Sequence, residues 1–275
     1  MNKKIIALIL AALAVVMCFA FAACGGEKAT NGNADDTTAA DTAASDLAYI
    51  KEKGKLVVGM TVYEPMNYKD ADGNWTGFDT EFAEAVAEKL GVEVEFIVID
   101  WDNKFFELEA KEIDCIWNGM TITDEALKNA SVSDAYVKNA QVVVMKNDKL
   151  DSYADAASLA ELKFAAEAGS AGEKEIKVLE IEEYTAVADQ AAALLEVASG
   201  TADACVIDIT MANAMTGEGT SYAELGYKLE LSTEEYGIAF RKDSDATAEV
   251  NKIMADLVAD GTLKALADKY ELTLA

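Results

Sequence analysis

Histidine does not occur anywhere in the 275-residue chain. That excludes histidine-based triads, histidine general bases and histidine-containing zinc or iron sites, and with them most hydrolase and metalloenzyme templates. Basic residues are scarce: 23 Lys and Arg stand against 50 Asp and Glu, for a formal net charge of -27. Such a surface repels phosphate backbones and anionic headgroups, which argues against nucleic-acid binding and against a polybasic membrane dock, and it favours solubility. Arginine is scarcer still, with Arg241 alone. Cysteine is limited to four residues. Cys18 and Cys24 lie near the start, while Cys115 and Cys205 each sit in a short apolar run and read as separate core residues rather than a disulfide. No metal-ligand spacing is present, and no cofactor is expected.

What the chain does have is a globular composition, 52% apolar and 27% charged, and a length that admits one large domain or two ordinary ones. It opens with Met1-Asn2-Lys3-Lys4, followed by an apolar run from Ile5 to Ala23. The run is long enough to span a bilayer. Its short basic start and the small residues Ala22 and Ala23 instead give the three parts of a secretory signal over residues 1–23. Phe21-Ala22-Ala23-Cys24-Gly25-Gly26 resembles the bacterial lipoprotein cleavage site, which implies acylation of Cys24. Residues 24–47 hold almost no large apolar side chain and read as a flexible tether.

The body alternates strands and helices. Strands are expected at Lys55–Gly59, Val92–Ile99, Cys115–Trp117, Lys163–Ala166, Ala204–Ile207 and Tyr236–Phe240. Helices are expected at Asp79–Leu90, where Phe82, Val86 and Leu90 share a face before Gly91, at Asn103–Lys111, from Ser170 onward, over Thr185–Ser199, and at Ile209–Met215, Thr247–Leu257 and Leu263–Tyr270. The alternation predicts an α/β fold with mostly parallel sheets and flanking helices. A short echo, helix, small turn, Asp, buried strand, occurs at Phe106–Cys115 and again at Leu194–Cys205, and suits two lobes of similar build. A single long domain with decorations competes with it.

Gly77-Phe78-Asp79, Phe82 through Gly91, Glu93-Val94-Glu95-Phe96, Trp101 and Asn118-Gly119-Met120-Thr121-Ile122-Thr123, in that order and spacing, resemble the bacterial extracellular solute-binding proteins of family 3. These are the capture subunits of polar amino-acid ABC importers. The resemblance runs from about Leu56 to Tyr270. It implies a two-lobed periplasmic-binding-protein-like fold of type II with the ligand cleft between the lobes. Lobe 1 would be discontinuous, over 48–139 and 232–275, and lobe 2 would occupy 140–231.

The resemblance also implies ligand-binding positions. Tyr63 and Trp101 fall where aromatics cover the ligand, and stacking on a cationic group is worth about 0.5–2 kcal/mol. Core packing is the alternative for both. Asn118, Gly119 and Thr121 form the loop that offers polar groups to the ligand, although Thr121 also suits a turn cap. Ser170, within Gly169-Ser170-Ala171-Gly172, opens a helix whose first N–H groups suit an anion, or it simply caps that helix. Asp208, closing the strand Cys205-Val206-Ile207, falls where a carboxylate grips the ligand's α-ammonium, or it caps Ile209–Met215. The pattern departs from the family at one place: Ala126 stands where an arginine holds the ligand's α-carboxylate. Lys128, Lys138, the Ser170 helix start, Thr121 and Thr123 are the candidate substitutes, and an amine without a free α-carboxylate, polyamine-like, becomes an alternative ligand.

The expected function is capture, not chemistry. A lipid-anchored, extracytoplasmic and monomeric protein would close on a polar amino acid or small amine and dock on ABC permease subunits, with no nucleic-acid partner. A dehydratase-like enzyme on the same fold, with Glu173 as general acid, is the alternative. For Glu173 the simpler expectation is a carboxylate favouring the positive end of its helix.

Overall fold

A computed structural model describes residues 45–153 and 155–275; the expected signal peptide, Cys24 and nearly all of the expected tether lie outside these residues. The described chain begins in helix α1 (Asp46–Lys53), capped by Ser45, whose hydroxyl accepts from the Ala48 N–H. Ser45–Leu47, assigned by composition to the tether, therefore belong to the folded body. Polar residues were read there as linker, but they are held by tertiary partners: Ser45 donates to Asp245 at 2.5 Å and Asp46 pairs with Arg241 at 2.6 Å.

Twelve strands and eight further α-helices follow in order among the described residues. The first half holds β1 (Lys55–Met60), the hairpin β2 (Tyr68–Lys69) and β3 (Trp75–Thr76), α2 (Phe78–Leu90), β4 (Glu93–Val98), α3 (Lys104–Glu109), β5 (Cys115–Ile116), α4 (Asp124–Asn129) and β6 (Ala130–Val132). Next come β7 (Val137–Lys146), β8 (Phe164–Glu167), α5 (Ala171–Val178), β9 (Tyr184–Val187), α6 (Gln190–Ser199), β10 (Ala204–Asp208), α7 (Ile209–Met215) and β11 (Leu225–Tyr236). The tail is β12 (Ala239–Arg241), α8 (Ala246–Ala259) and α9 (Thr262–Lys269).

Two five-stranded sheets result, in the orders β4-β1-β5-β12-β6 and β11-β7-β10-β8-β9. Each is the heart of one lobe, and the return strand β12 inserts into the first sheet. The expectation of mostly parallel sheets holds for half of each. β4-β1-β5 and β10-β8-β9 are parallel, whereas β12 joins β5 and β6, and β7 joins β10 and β11, antiparallel. The antiparallel half arises because β7 and β11 carry the chain into the second lobe and back again. They pair from Lys146↔Leu225 to Val137↔Tyr236, with register shifts between Tyr227 and Leu229 and between Glu230 and Ser232. At their other end Tyr236 bridges to Thr121 and Val137 to Leu274.

Both faces of each sheet are covered, as the side-chain period of two requires. In β1, Leu56 and Val58 pack with Phe82 and Trp117 on one face, while Val57 packs with Ile99, Ile113 and Ile116 on the other. In β7, Val142 and Val144 face Leu194 and Cys205, while Val143 and Met145 face Phe164, Ile176 and Val206. Cys115 and Cys205 are buried free thiols in these layers, as expected.

Two expected elements divide. Thr185–Ser199 is not one helix: Tyr184–Val187 form strand β9, and Asp189 starts α6 by accepting from the Ala192 N–H at 2.7 Å. Tyr236–Phe240 is not one strand, because the chain leaves β11 at Tyr236 and enters the other sheet at Ala239. Gly237 sits at that crossing, its N–H on the Met120 carbonyl at 2.9 Å.

Candidate functional site between the lobes

In open parallel sheets, ligands meet the loops that leave the carboxyl ends of the strands. In the first lobe these loops are Thr61–Asn67 after β1 and Trp117–Thr123 after β5; in the second, Ala168–Ser170 after β8 and the start of α7 after β10. The Trp117–Thr123 and Ala168–Ser170 loops, with the end of β10, border a cavity of about 330 Å³ between the lobes. Trp101, Asn118, Gly119 and Thr121 line one wall, and Glu167, Ser170, Gln190 and Asp208 the other. The lobes touch around it. Lys104 Nζ donates to the Trp101 carbonyl of its own lobe and to the Gly169 carbonyl of the other, each at 3.0 Å. Gly169 has φ +69°, and a Cβ there would meet Asp102 Oδ1 at 2.7 Å, so only glycine allows this approach.

Six of the seven expected ligand-binding residues line this cavity, and Tyr63 does not. It is fully buried beneath the loop, with its hydroxyl 2.6 Å from that of Tyr236 and also bonded to Thr210 of α7. Those bonds tie the first lobe to the second at the crossing strands. Gly119 lies directly over Tyr63, with its N–H donated to Asp79 Oδ2 at 2.6 Å. The Asn118 amide is committed to Thr61: its Oδ1 accepts from the backbone N–H at 3.0 Å and from the hydroxyl at 2.9 Å, and its Nδ2 donates to the Thr61 carbonyl at 3.0 Å. Trp101 is buried in a short 3₁₀ turn with Lys104 Nζ 5.0 Å from the centre of its ring.

On the opposite wall Ser170 caps α5, accepting from the Glu173 N–H at 3.1 Å. The next two N–H groups belong to the helix start and have no intrahelical acceptor. Asp208 makes no cap bond to α7. Three amides surround its carboxylate instead: Gln141 at 2.7 Å and Asn139 both donate to Oδ1, and Gln190 donates to Oδ2. Gln190 Oε1 also accepts the Asp208 N–H at 2.9 Å, which fixes the backbone as well as the side chain.

Sequence reasoning missed three ionisable groups here. Glu234, on β11, accepts from Thr121 at 2.9 Å, Gln141 at 2.7 Å and Asn139 at 2.5 Å. Burial and the nearby Asp208 charge push Glu234 up to about 8; Asp208 is raised too, mainly by burial, against the hydrogen bonds of Gln190 and Asn139. Glu167, closing β8, is pushed to about 8 by burial. Lys104 is buried, and burial lowers its pKa. A usable signal existed for Glu167, since Phe164-Ala165-Ala166-Glu167 repeats the pattern of an apolar strand closed by an acid that singled out Asp208.

Ala126 lines the cavity and is buried, and neither Lys128 nor Lys138 lines it; Lys138 lies on a separate hollow with Thr233 and Glu235. Thr123 lines the cavity, and its hydroxyl caps α4 by accepting from the Ala126 N–H at 3.1 Å. Arg241 is engaged elsewhere, at 2.6 Å from Asp46 and 3.1 Å from Asp114. Glu173 accepts from the Gly169 N–H at 3.0 Å, from Tyr184 at 3.0 Å and from Lys177 at 3.0 Å. Burial alone would raise its pKa, but these bonds together hold it below the usual range. Among the described residues no group of three or more Cys, Asp or Glu side chains is arranged to hold a metal ion, and no helix is long and apolar enough to cross a membrane.

The family model of the bacterial extracellular solute-binding proteins, family 3, matches residues 56–273. The chain belongs to this family. Among similar family 3 proteins, the L-cystine-binding protein TcyA of Bacillus subtilis strain 168 is 31% identical over 275 residues, covering 98% of this chain and 97% of TcyA. The arginine-binding extracellular protein ArtP of the same organism is 32% identical over 232 residues, 79% of this chain and 86% of ArtP. Among solved structures, the ancestral amino acid-binding protein AncCDT-1, a precursor of cyclohexadienyl dehydratase, superposes with a TM-score of 0.75 at 32% identity, over 82% of this chain and 99% of that one. The architecture of this family 3 protein is accordingly the two-lobed type II fold, and the family's extracellular character implies an extracytoplasmic location.

Proposed function

We propose that the protein is the capture subunit of an ABC importer and binds a polar amino acid or related small amine by closing its lobes over it. The observation that carries this reading is Asp208, buried on the cavity wall and held by three amides, opposite the Asn118–Thr121 loop. A carboxylate fixed in this way is preorganised for an ammonium group, and closure would sequester the pair from water. Relatives whose names specify L-cystine and arginine binding support an amino-acid cargo. Ala126 leaves no guanidinium for an α-carboxylate, so the N–H groups at the start of α5 and Lys174 beside them, which also lines the cavity, are the donors in this reading.

Cys24 would carry the lipid that keeps the receptor, a monomer, beside its permease. Lobe 1 would comprise 48–139 and 232–275, with lobe 2 between them. The role is binding without turnover: Glu173, the candidate acid of an enzymatic alternative, holds three hydrogen bonds as an ionised acceptor and has no proton to give.

Calorimetric titration with the twenty amino acids and simple diamines tests the reading. At least one should bind saturably, and Asp208→Asn should weaken that ligand by at least about thirtyfold, the lower end for removing one partner of a buried charge pair. The absence of saturable binding across the panel would refute it.

A further inference from the structure

Asp208 accounts for one acidic group in the cavity and leaves a second unexplained. Glu167 ends β8, beside β10, which Asp208 ends, and both line the same chamber. Glu167 is only 2% exposed, yet its Oε1 has no hydrogen-bond partner among the described residues. The nearby Thr61 hydroxyl donates to Asn118 at 2.9 Å, so its one proton is committed. The one buried lysine of the chamber, Lys104, is turned to two backbone carbonyls. A buried carboxyl oxygen without a partner is costly, and natural cores rarely keep one unless a ligand satisfies it. Burial, with Asp208 and Asp189 nearby and Lys104 opposing them, favours its protonated form at neutral pH while the chamber is empty.

We propose that Glu167 is a specificity-determining residue that receives a second positively charged nitrogen of the solute, at the end remote from the ammonium held by Asp208. This rests on the capture reading and narrows it: the cargo is a compound with two cationic nitrogens joined by a short aliphatic stem, a basic amino acid or a diamine. The two acids close adjacent parallel strands, so they present to one chamber from the same wall. Trp101, on the opposite wall, supplies an apolar ring to the stem between them. A neutral or acidic side chain would leave Glu167 unsatisfied or add repulsion, and this is the discrimination a buried unpaired acceptor provides.

Three probes that share one stem separate the possibilities when titrated into the full-length protein. L-Lysine carries both nitrogens and the carboxylate, cadaverine both nitrogens without the carboxylate, and L-norleucine the α-group without the terminal ammonium. Lysine or cadaverine should bind about tenfold to a hundredfold more tightly than norleucine, the range expected for one charged hydrogen bond in a closed site. Which of the two binds better identifies the source, amino acid or diamine. Glu167→Gln, nearly isosteric, should remove most of that preference. Equal affinity for lysine, cadaverine and norleucine in the wild type, which needs no variant to fold, would overturn the proposal. So would an unchanged lysine preference in Glu167→Gln. In either case saturable binding of a neutral solute would leave the capture reading standing, whereas no binding by any probe or by the wider amino-acid panel would remove both.

Discussion

Gly119 shows how closely single residues are fitted at the cleft. Its φ is +56°, and a Cβ there would lie 2.7 Å from Tyr63 Cε1 and 3.1 Å from Tyr236 Cε2. A methyl group would be strained by the backbone and opposed by two buried rings that are themselves hydrogen-bonded at 2.6 Å. Gly119→Ala should destabilise the protein by about 1–3 kcal/mol, read as a lower denaturant midpoint with an unchanged slope. The Gly119 N–H also rests on Asp79, which accepts the Tyr136 hydroxyl at 2.9 Å through the same oxygen. Burial pushes Asp79 up to about 7 against these bonds. The loop that lines the cavity is thus seated on an ionisable group that the sequence conceals, because Asp79 reads as an ordinary acidic residue in the first turn of α2.

At the scale of elements, the ion-pair cluster under β12 is the clearest case of a polar device inside the fold. Arg241 lies between Asp46 of α1 and Asp114 before β5, donates to the Ile113 carbonyl at 2.7 Å, and has a side chain only 10% exposed. Lys53 also reaches Asp114, at 2.5 Å. Arg241→Ala would leave Asp114 with Lys53 and the Val57 N–H, and Asp46 with only the Ser244 hydroxyl. It should lower stability by about 3 kcal/mol and be visible in a thermal melt. A melt within a degree of wild type would show that the cluster is not a structural clamp.

The elements also show what was legible beforehand. α2, α7 and the parallel strands other than β9 follow from apolar spacing and glycine stops. β7 and β11 do not, although Leu225, Tyr227, Leu229 and Leu231 alternate through β11. The inward positions of β7 include Asn139 and Gln141, buried polar residues that interrupt an apolar run and make sense only once Asp208 and Glu234 are known to need their amides. Of the site, the loops and Asp208 were accessible through pattern and resemblance. Lys104 and Glu234 were not, since their burial depends on contacts between distant segments.

For the molecule as a whole, three buried carboxyls share one direction of response to pH. Asp79 stands at about 7 and Glu167 and Glu234 at about 8, each above its value in an unfolded chain. Between about pH 4.5 and 8 the native state holds protons that the unfolded chain has released. Raising the pH therefore favours unfolding, by up to about 1.4 kcal/mol per pH unit for each group. The contribution is fully present below the unfolded values and is lost as pH rises through the native ones. Urea midpoints for the apo protein should fall from pH 5.5 to pH 8.5, and Asp79→Asn should reduce the fall below pH 7. A midpoint that rises over that interval would contradict the assignment.

Lys104, at the cavity, and the Tyr63–Tyr236–Thr210 cluster, beneath it, both bridge the lobes, and β7 with β11 is the pair of strands that joins the two sheets.

The stapling of Ser45 to Asp245 and of Asp46 to Arg241 has a mechanical corollary. A tug arriving along the backbone from ahead of Ser45 is borne by the half that also receives the returning tail, through contacts made within that half. The half that holds the second sheet carries none of that load across these two contacts.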